Sequence, residues 1–429
     1  MADNDWRNFE PVLIPDIKNL KDIEVYEKNG GYKAIKEILT SDKWDEDAVI
    51  NEVKAANIRG RGGAGFNAGL KWSFMPDKGD RPHYLACNGD ESEPGTFKDR
   101  KIFEFNPHLF IEGALIAAFA MKVDAIYVYI RGEYNNWIDQ LDNALQQAYD
   151  KGYIGKNILG SGFDVEFYSH AGAGAYICGE ETGMLESLEG KRGYPRVKPP
   201  FPAQKGLWGD PTTINNIETL AHVPGVINNG ADWFSSIGAE NHPGPILYGI
   251  SGHVNRPGVY EYPTGVPILD LINEVAGGMR NDKELKAVIP GGASTPVLRA
   301  DMLDGVTMDS DSLRDAGSLL GTGGLVVMDE DTDMVEVLWR ISHFFHHESC
   351  GQCTPCREGC GWLEKVLLRI KNGEGEMKDL DLLLDMTTQM EGRTICALAD
   401  AACWPVTNTI KRFRDEFEAR CKKSVHAVA

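Results

Sequence analysis

The pattern of apolar positions divides this chain into three stretches, with changes near Pro243 and after Asp333. Over residues 32–39 and 45–57 apolar residues recur at helical spacing, with Val49, Ile50, Val53 and Ala56 on one face of the second tract. That tract stops at a glycine-rich run, residues 60–69. A short strand is expected over 83–87, then a loop dense in acids over 88–99. Residues 107–168 follow as helix, strand, helix, strand. Within them, 126–130 (IYVYI) is a β-branched and aromatic run suited to a buried strand. Strands alternating with helices predict a mostly parallel α/β sheet.

The character changes near Pro243. Residues 246–252 and 258–262 predict a hairpin around Asn255-Arg256-Pro257. Short strands and one helix, 268–275, continue to about residue 327. After Asp333 the pattern is helical over 333–347, 356–372, 379–391 and 400–420, which predicts a helical bundle. The boundaries expected are an N-terminal extension 1–45, an α/β domain 46–242, a small β-rich domain 243–330 and a bundle 331–429. A length of 429 residues, at ~150 per domain, agrees with about three domains.

Charge narrows the partners. Acids outnumber bases 64 to 44, a net of −20, which argues against nucleic acid and against electrostatic docking on anionic lipid. No stretch reaches the ~18 apolar residues of a membrane helix; the nearest, 109–121, contains Glu112. The opening MADNDWRNFE has no basic or apolar signal region, so no secretion is expected. Glycine, 47 residues or about 11% against ~7% on average, points to loops where backbone approaches something closely.

The strongest local signal is Cys350-Gly-Gln-Cys353-Thr-Pro-Cys356. Two successive C-x-x-C steps put three thiolates on one tight loop, the arrangement an iron–sulfur cubane takes. Zinc sites more often take separated cysteine pairs. Thr354 is expected to cap a helix with Pro355 at its first position, placing Cys356 in the first turn. Two residues compete as the fourth ligand. Cys360 completes a ferredoxin-like C-x2-C-x2-C-x3-C run, but Gly361 stands where proline would follow. Cys396 is the distant rival.

Gly60-Arg61-Gly62-Gly63-Ala64-Gly65 matches G-x-G-x-x-G, although a helix rather than a strand precedes it. Phe66, Trp72 and Phe74 follow at once, which a bare linker would not need. Two windows, 53–76 and 190–208, hold nine basic residues and no acid, and stand out in a −20 chain as anion sites. Between them lie the amides and carboxylates Asn88, Asp90, Glu91 and Glu93, suited to ribose hydroxyls or a flavin edge. A second glycine-rich strand exit runs through Tyr176 and Gly179 to Glu180 and Glu181.

RGRGGAGF (59–66), CNGDESEPGTFKDR (87–100), GAGAYICGEET (172–182), NNIET (215–219), SCGQCTPCREG (349–359) and TICALADAA (394–402) occur in that order. Together, from about residue 28 to 420, they resemble the NADH-binding flavoprotein (F) subunits of respiratory complex I, NADH:quinone oxidoreductase. The resemblance implies an α/β, Rossmann-like FMN/NADH domain, a ubiquitin-like β-grasp domain of the soluble ligand-binding type, and a C-terminal four-helix bundle carrying a 4Fe-4S cluster. It implies Cys350, Cys353, Cys356 and Cys396 as cluster ligands, with Cys360 a bystander. Gly60, Arg61, Gly62 and Lys71 match flavin contacts. Asn88, Asp90 and Glu91 match the ring and ribityl surroundings, and Asn215, Asn216 and Thr219 the FMN phosphate side. Gly63, Phe66, Phe74, Glu93, Lys198 and Phe201 fall at the NADH side, with Phe66 and Phe201 as adenine-stacking partners; Gly65, Tyr176 and Gly179 are further expected cofactor-binding residues. Glu180 and Glu181 match carboxylates near flavin and nicotinamide. Glu91 and Glu181 are the candidate catalytic residues. Gly89 stands where the family usually has alanine, Ala399 where it has glycine, and Asn67-Ala68 replace a proline-containing pair.

The activity implied is NADH oxidation by hydride transfer to FMN, then single-electron exit through the cluster. The partners implied are a 2Fe-2S thioredoxin-like subunit and a larger multi-cluster iron–sulfur subunit, at the cytoplasmic face of a bacterial inner membrane. The alternatives are the diaphorase unit of an NAD-linked formate dehydrogenase or NAD-reducing hydrogenase, and a relay subunit without flavin. Glu93 favours NADH over NADPH, because a carboxylate at the ribose repels a 2′-phosphate.

Overall fold

Four short strands form the first sheet in this computed structural model, which describes residues 5–422. They are β1 (Tyr84–Gly89), β2 (Ala125–Ile130), β3 (Glu166–Ala171) and β4 (Thr212–Asn216). All pairings are parallel and the order is β3-β2-β1-β4. The chain leaves β1 toward β2 on one side, and β4 returns on the other. A crevice therefore opens at the carboxyl ends of β1 and β4, where open parallel sheets bind ligands.

Sequence pattern found β1 to β3 but gave no strand at β4. Thr212, Thr213 and Ile214 are β-branched and buried, yet the run is polar and short. Helix α1 (Pro107–Ala120) is apolar apart from His108 and Glu112 and buried on nearly every side because it lies inside the core, with Phe110, Ile111, Leu115 and Ile116 fully buried. Burying each contributes ~1.5–3 kcal/mol. Among the described residues no single helix is long and apolar enough to cross a membrane.

The segment expected as an extension is built into this core; its residues 1–4 lie outside the described ones. Tyr26 and Tyr32 are buried. Glu112 of α1 accepts hydrogen bonds from the Tyr26 hydroxyl at 2.6 Å and from the N–H groups of Tyr32 and Ala34 at 2.8 and 3.0 Å. Glu261 likewise accepts the N–H groups of Val12, Leu13 and Ile14. Two buried carboxylates thus hold one strap, which includes the short helices Ile23–Lys28 and Lys33–Thr40, by backbone donors that would otherwise be unpaired.

The second sheet contains β5 (Pro245–Gly252), β6 (Gly258–Pro263), β7 (Leu285–Ile289), β8 (Leu298–Arg299) and β9 (Gly324–Asp329), in the order β8-β7-β9-β5-β6. The expected hairpin is β5–β6; β5 and β9 run parallel and the other pairs antiparallel. Beyond it lie α2 (Met334–Glu348), α3 (Thr354–Lys371), α4 (Met377–Met390) and α5 (Leu398–Arg412). Each packs on the next, and α2 also packs on α5. The expected last helix is broken: α5 ends at Arg412 and a short helix, Arg414–Glu418, follows. Residues 423–429 of the expected bundle lie outside the described ones.

Candidate functional site

The glycine loop closes on itself, Gly60 N–H donating to Phe66 O at 2.8 Å. Gly63 sits at φ +105°, a conformation side chains rarely adopt. A Cβ on Gly62 would stand 3.3 Å from that of Asn216, so the loop lies over the end of β4. Asn67, at the departure from the family pattern, caps the short helix Ala68–Trp72 by accepting Leu70 N–H at 2.8 Å. Gly89 closes β1 where a Cβ would meet Tyr129 O at 3.0 Å.

Arg61 turns its side chain into the scaffold. Its backbone N–H donates to Thr219 Oγ1 at 2.8 Å, but its guanidinium is 1% exposed and turned from the crevice. It donates to Pro243 O and Pro245 O at 2.8 and 3.0 Å, joining the loop to the strand that opens the second sheet. Its charge is therefore not offered to a ligand, although the basic window counted it.

Glu91 is likewise bound into the scaffold. One carboxylate oxygen accepts the N–H groups of Lys98 and Asp99 at 2.7 and 2.8 Å, and the other the Tyr134 hydroxyl at 3.0 Å. Both oxygens are thus engaged by the loop and by Tyr134. Behind the loop, Lys98 is buried between Asp99 at 2.8 Å and Glu218 at 2.7 Å. Asn216 Nδ2 donates to Asp99 at 2.6 Å, and its Oδ1 accepts Glu218 N–H at 3.0 Å. Asn215 accepts the Trp72 indole N–H at 2.9 Å. Glu218 also accepts Leu247 N–H at 2.9 Å, so one ionic network ties both sheets.

Other predicted residues do converge. Asn88 Nδ2 donates to Gly179 O at 2.8 Å, bringing the two strand exits together. Asp90 Oδ2 is buried with no hydrogen-bond partner, and burial pushes its carboxyl up to about 7. Lys71 pairs with Glu181 at 3.0 Å, and Lys198 with Glu181 and Glu180 at 2.9 and 3.0 Å. Burial opposes ionisation of Glu181, but the two ammonium groups hold its carboxyl below the ordinary range. Glu180 also caps the helix Glu181–Leu188 by accepting Thr182 and Gly183 N–H groups. Glu93 accepts the Tyr176 hydroxyl and Ser294 N–H, both at 2.7 Å, and burial raises its carboxyl. Phe66, Phe74 and Phe201 expose 47%, 54% and 52% of their surface, leaving aromatic faces open for stacking. An orphaned buried carboxylate, open aromatic rings and a glycine loop fit a flavin and a dinucleotide.

The cysteine hollow has a different construction. Cys350, Cys353, Cys356 and Cys396 line one small, partly open hollow with Ile177, Pro195, Gln352, Thr394, Ile395 and Leu398. Cys360 does not line it. Among the described residues no three His, Cys, Asp or Glu side chains are gathered for a single ion. A ring of sulfurs around a void fits a polynuclear cluster better. Cys353 accepts Ile395 N–H at 3.4 Å; Cys356 lies 3.2 Å from Ser349 Oγ and 3.9 Å from Cys360 Sγ. The Cys360 bond holds the Cys356 thiol below its usual value, and the same bond pushes Cys360 up. The cap expected at Thr354 falls one residue earlier, at Cys353, without a side-chain bond. Cys356 still sits in the first turn.

Sequence reasoning missed three residues of the junction between the two sites. Ile177 and Pro195 are apolar and carry no chemical signature; they line the cysteine hollow. Glu348, just before the cysteine motif, accepts Tyr176 N–H at 3.0 Å. Its place beside the motif was the signal available.

Residues 53–225 match the Nuo51 FMN-binding domain family, 247–337 the SLBB domain, and 336–420 the NADH-ubiquinone oxidoreductase-F iron-sulfur binding region. The NADH-quinone oxidoreductase F subunit of Rickettsia typhi is 53% identical over 402 residues, 94% of each chain. That of Rickettsia akari is 51% identical over 428 residues, covering 100% of this chain and 99% of its own. A crystal structure of an NAD+-reducing [NiFe]-hydrogenase in the air-oxidised state superposes with a TM-score of 0.80 at 34% identity, over 92% of this chain and 68% of that one. With its strand exits, glycine loop and cysteine hollow in place, the chain belongs to the F-subunit family of NADH-quinone oxidoreductases.

Proposed function

We propose that this chain oxidises NADH beside FMN in the β1/β4 crevice and passes electrons singly through a 4Fe-4S cluster to partner subunits of a respiratory NADH:quinone oxidoreductase. One observation carries the reading. The four-residue turn Tyr176–Gly179 is a wall of both sites: Gly179 O bonds Asn88 at the end of β1, and Ile177 lines the cysteine hollow. A hydride-accepting group and a one-electron acceptor placed there would be neighbours across a few residues.

When bound, FMN supplies hydride acceptance and the cluster one-electron acceptance. The protein supplies position. Gly60, Gly62, Gly63 and Gly65 let backbone approach the ligands. Asn215, Asn216 and Thr219, bonded to Trp72, Asp99 and Arg61 N–H, shape the phosphate end. Asn88 and Asp90 border the ring, and the Asp90 Oδ2 lacking a partner is the group free to bond it. Glu180, Glu181, Lys71 and Lys198 form a charge-balanced edge. Glu93 and Tyr176 meet the ribose, with Phe66, Phe74 and Phe201 around the adenine. Cys350, Cys353, Cys356 and Cys396 ligate the cluster.

The domains proposed are 46–242, 243–330 and 331–429, with 1–45 as the strap. A central parallel pair flanked by antiparallel arms, with the helical stretch Ile268–Asp270 and Leu271–Val275 between them, supports a β-grasp for the middle unit. The closed packing of α2 to α5 supports a four-helix bundle. We place the chain in a peripheral arm on the cytoplasmic side of a bacterial inner membrane. A 2Fe-2S thioredoxin-like subunit and a larger multi-cluster subunit are its partners. The hydrogenase likeness favours a diaphorase as the second reading, but identity above 50% over nearly the whole length favours the quinone-linked flavoprotein.

The test is the complex purified through this chain. Releasable FMN, cluster iron, NADH-dependent ferricyanide reduction and co-purifying quinone reductase subunits are expected. Absence of flavin, or a co-purifying hydrogenase, overturns it. Equal turnover of NADPH overturns the role of Glu93.

A further inference from the structure

Cys356 and Cys360 lie one helical turn apart on the same face of α3. Their sulfurs are 3.9 Å apart. Only Cys356 borders the hollow; Cys360 sits behind it, 1% exposed, in the apolar cluster that also holds Leu363, Met390 and Cys403. A thiol there finds no water, and the sulfur it reaches is one the cluster reading makes a ligand. We infer that Cys360 is a positioning residue whose S–H bonds the Cys356 sulfur and raises the reduction potential of the cluster.

The inference rests on the 4Fe-4S reading and deepens it. Among the described residues, side-chain donors reach only one of the four hollow-lining sulfurs: Ser349 Oγ at 3.2 Å and Cys360 Sγ, both on Cys356. Reduction adds a negative charge that is shared onto the ligand sulfurs. A donor aimed at one of them stabilises the reduced form more than the oxidised one, so the potential rises. The ferredoxin-like spacing that made Cys360 a rival ligand has a different outcome here: the helix carries its sulfur behind Cys356 rather than into the hollow.

The experiment uses the assembled enzyme as wild type, Cys360→Ala and Cys360→Ser, with iron content and an EPR redox titration of the cluster as readouts. Unchanged iron is expected throughout. The midpoint should move negative in Cys360→Ala and stay at or above wild type in Cys360→Ser, which keeps a donor. Ser349→Ala should move it in the same negative direction. Cys360→Val, which fills the space without a donor, makes the same test if alanine loosens the bundle. An unmoved midpoint in the donor-free variants overturns the inference, as do equal shifts in alanine and serine. Iron loss in Cys360→Ala overturns it by making Cys360 a ligand. A wild-type enzyme with no cluster signal instead overturns the reading beneath it.

Discussion

The cysteine hollow and the nucleotide crevice are built in opposite ways. Three of the four hollow-lining cysteines come from seven consecutive residues, and one loop places them together. The crevice is gathered from the glycine loop, two strand ends, the turn Tyr176–Gly179 and the segment carrying Lys198. A ligand set that is local keeps its meaning in the sequence. A site assembled from distant pieces depends on which way each side chain turns, and Arg61 and Glu91 turn toward the scaffold. Buried charge also divides them. The crevice stands on Lys98, Asp99, Glu218 and Arg61, whereas the hollow is lined by sulfur, apolar groups and two uncharged polar residues.

Substitutions should separate the two sites. The largest effect is expected from Cys396→Ala or Cys353→Ala: near-complete loss of cluster iron with flavin retained, measured on one preparation. Joint loss of iron and flavin would show the sites to be one folding unit. Next is Lys98→Met, which leaves Asp99 and Glu218 buried without their cation. A cost of about 3–5 kcal/mol is expected by denaturant unfolding, with flavin lost before iron. A cost below ~1 kcal/mol would remove buried charge from the account of the crevice.

Glu261 gives a pH test of the strap. Burial pushes its carboxyl up to about 7, against the backbone hydrogen bonds that lower it. The native state then holds a proton the unfolded chain has released. Stability should therefore fall, relative to Glu261→Gln, as pH rises from about 4.5 to about 7, by roughly 3 kcal/mol in all. Parallel pH curves for the two proteins would refute this. The smallest effect is expected from Asn216→Ala, which removes the cap of the helix Ile217–Ala221 and the bond to Asp99. About 1 kcal/mol of stability should go, with weaker flavin retention and unchanged iron.

Much of the fold was legible because periodicity survives packing. The strands 126–130 and 164–168, the hairpin and the first three bundle helices lie within a few residues of the patterns that predicted them. β4 was not legible. Its polar residues earn burial only by pairing with β1, and Asn215 and Asn216 point to their neighbours in the fold, not in the chain. The strap was misleading for the same reason. A helical pattern marks residues 32–39, but nothing in the rest of 5–45 says where the segment packs, and the carboxylates that hold it come from positions 112 and 261.

The sequence by itself determined the chemistry on offer: soft thiolates at C-x-x-C spacing, glycines where backbone must come close, and basic windows in an acidic chain. Those are properties of residue type and short separation, which covalent geometry preserves. Tertiary structure decided which groups face a ligand. It sent the Arg61 guanidinium inward, engaged the Glu91 carboxylate and left Asp90 Oδ2 unpartnered. It also put Cys396, not Cys360, on the hollow. Orientation follows from how distant segments compete for the same hydrogen-bond partners and the same buried volume, and no local pattern encodes that competition.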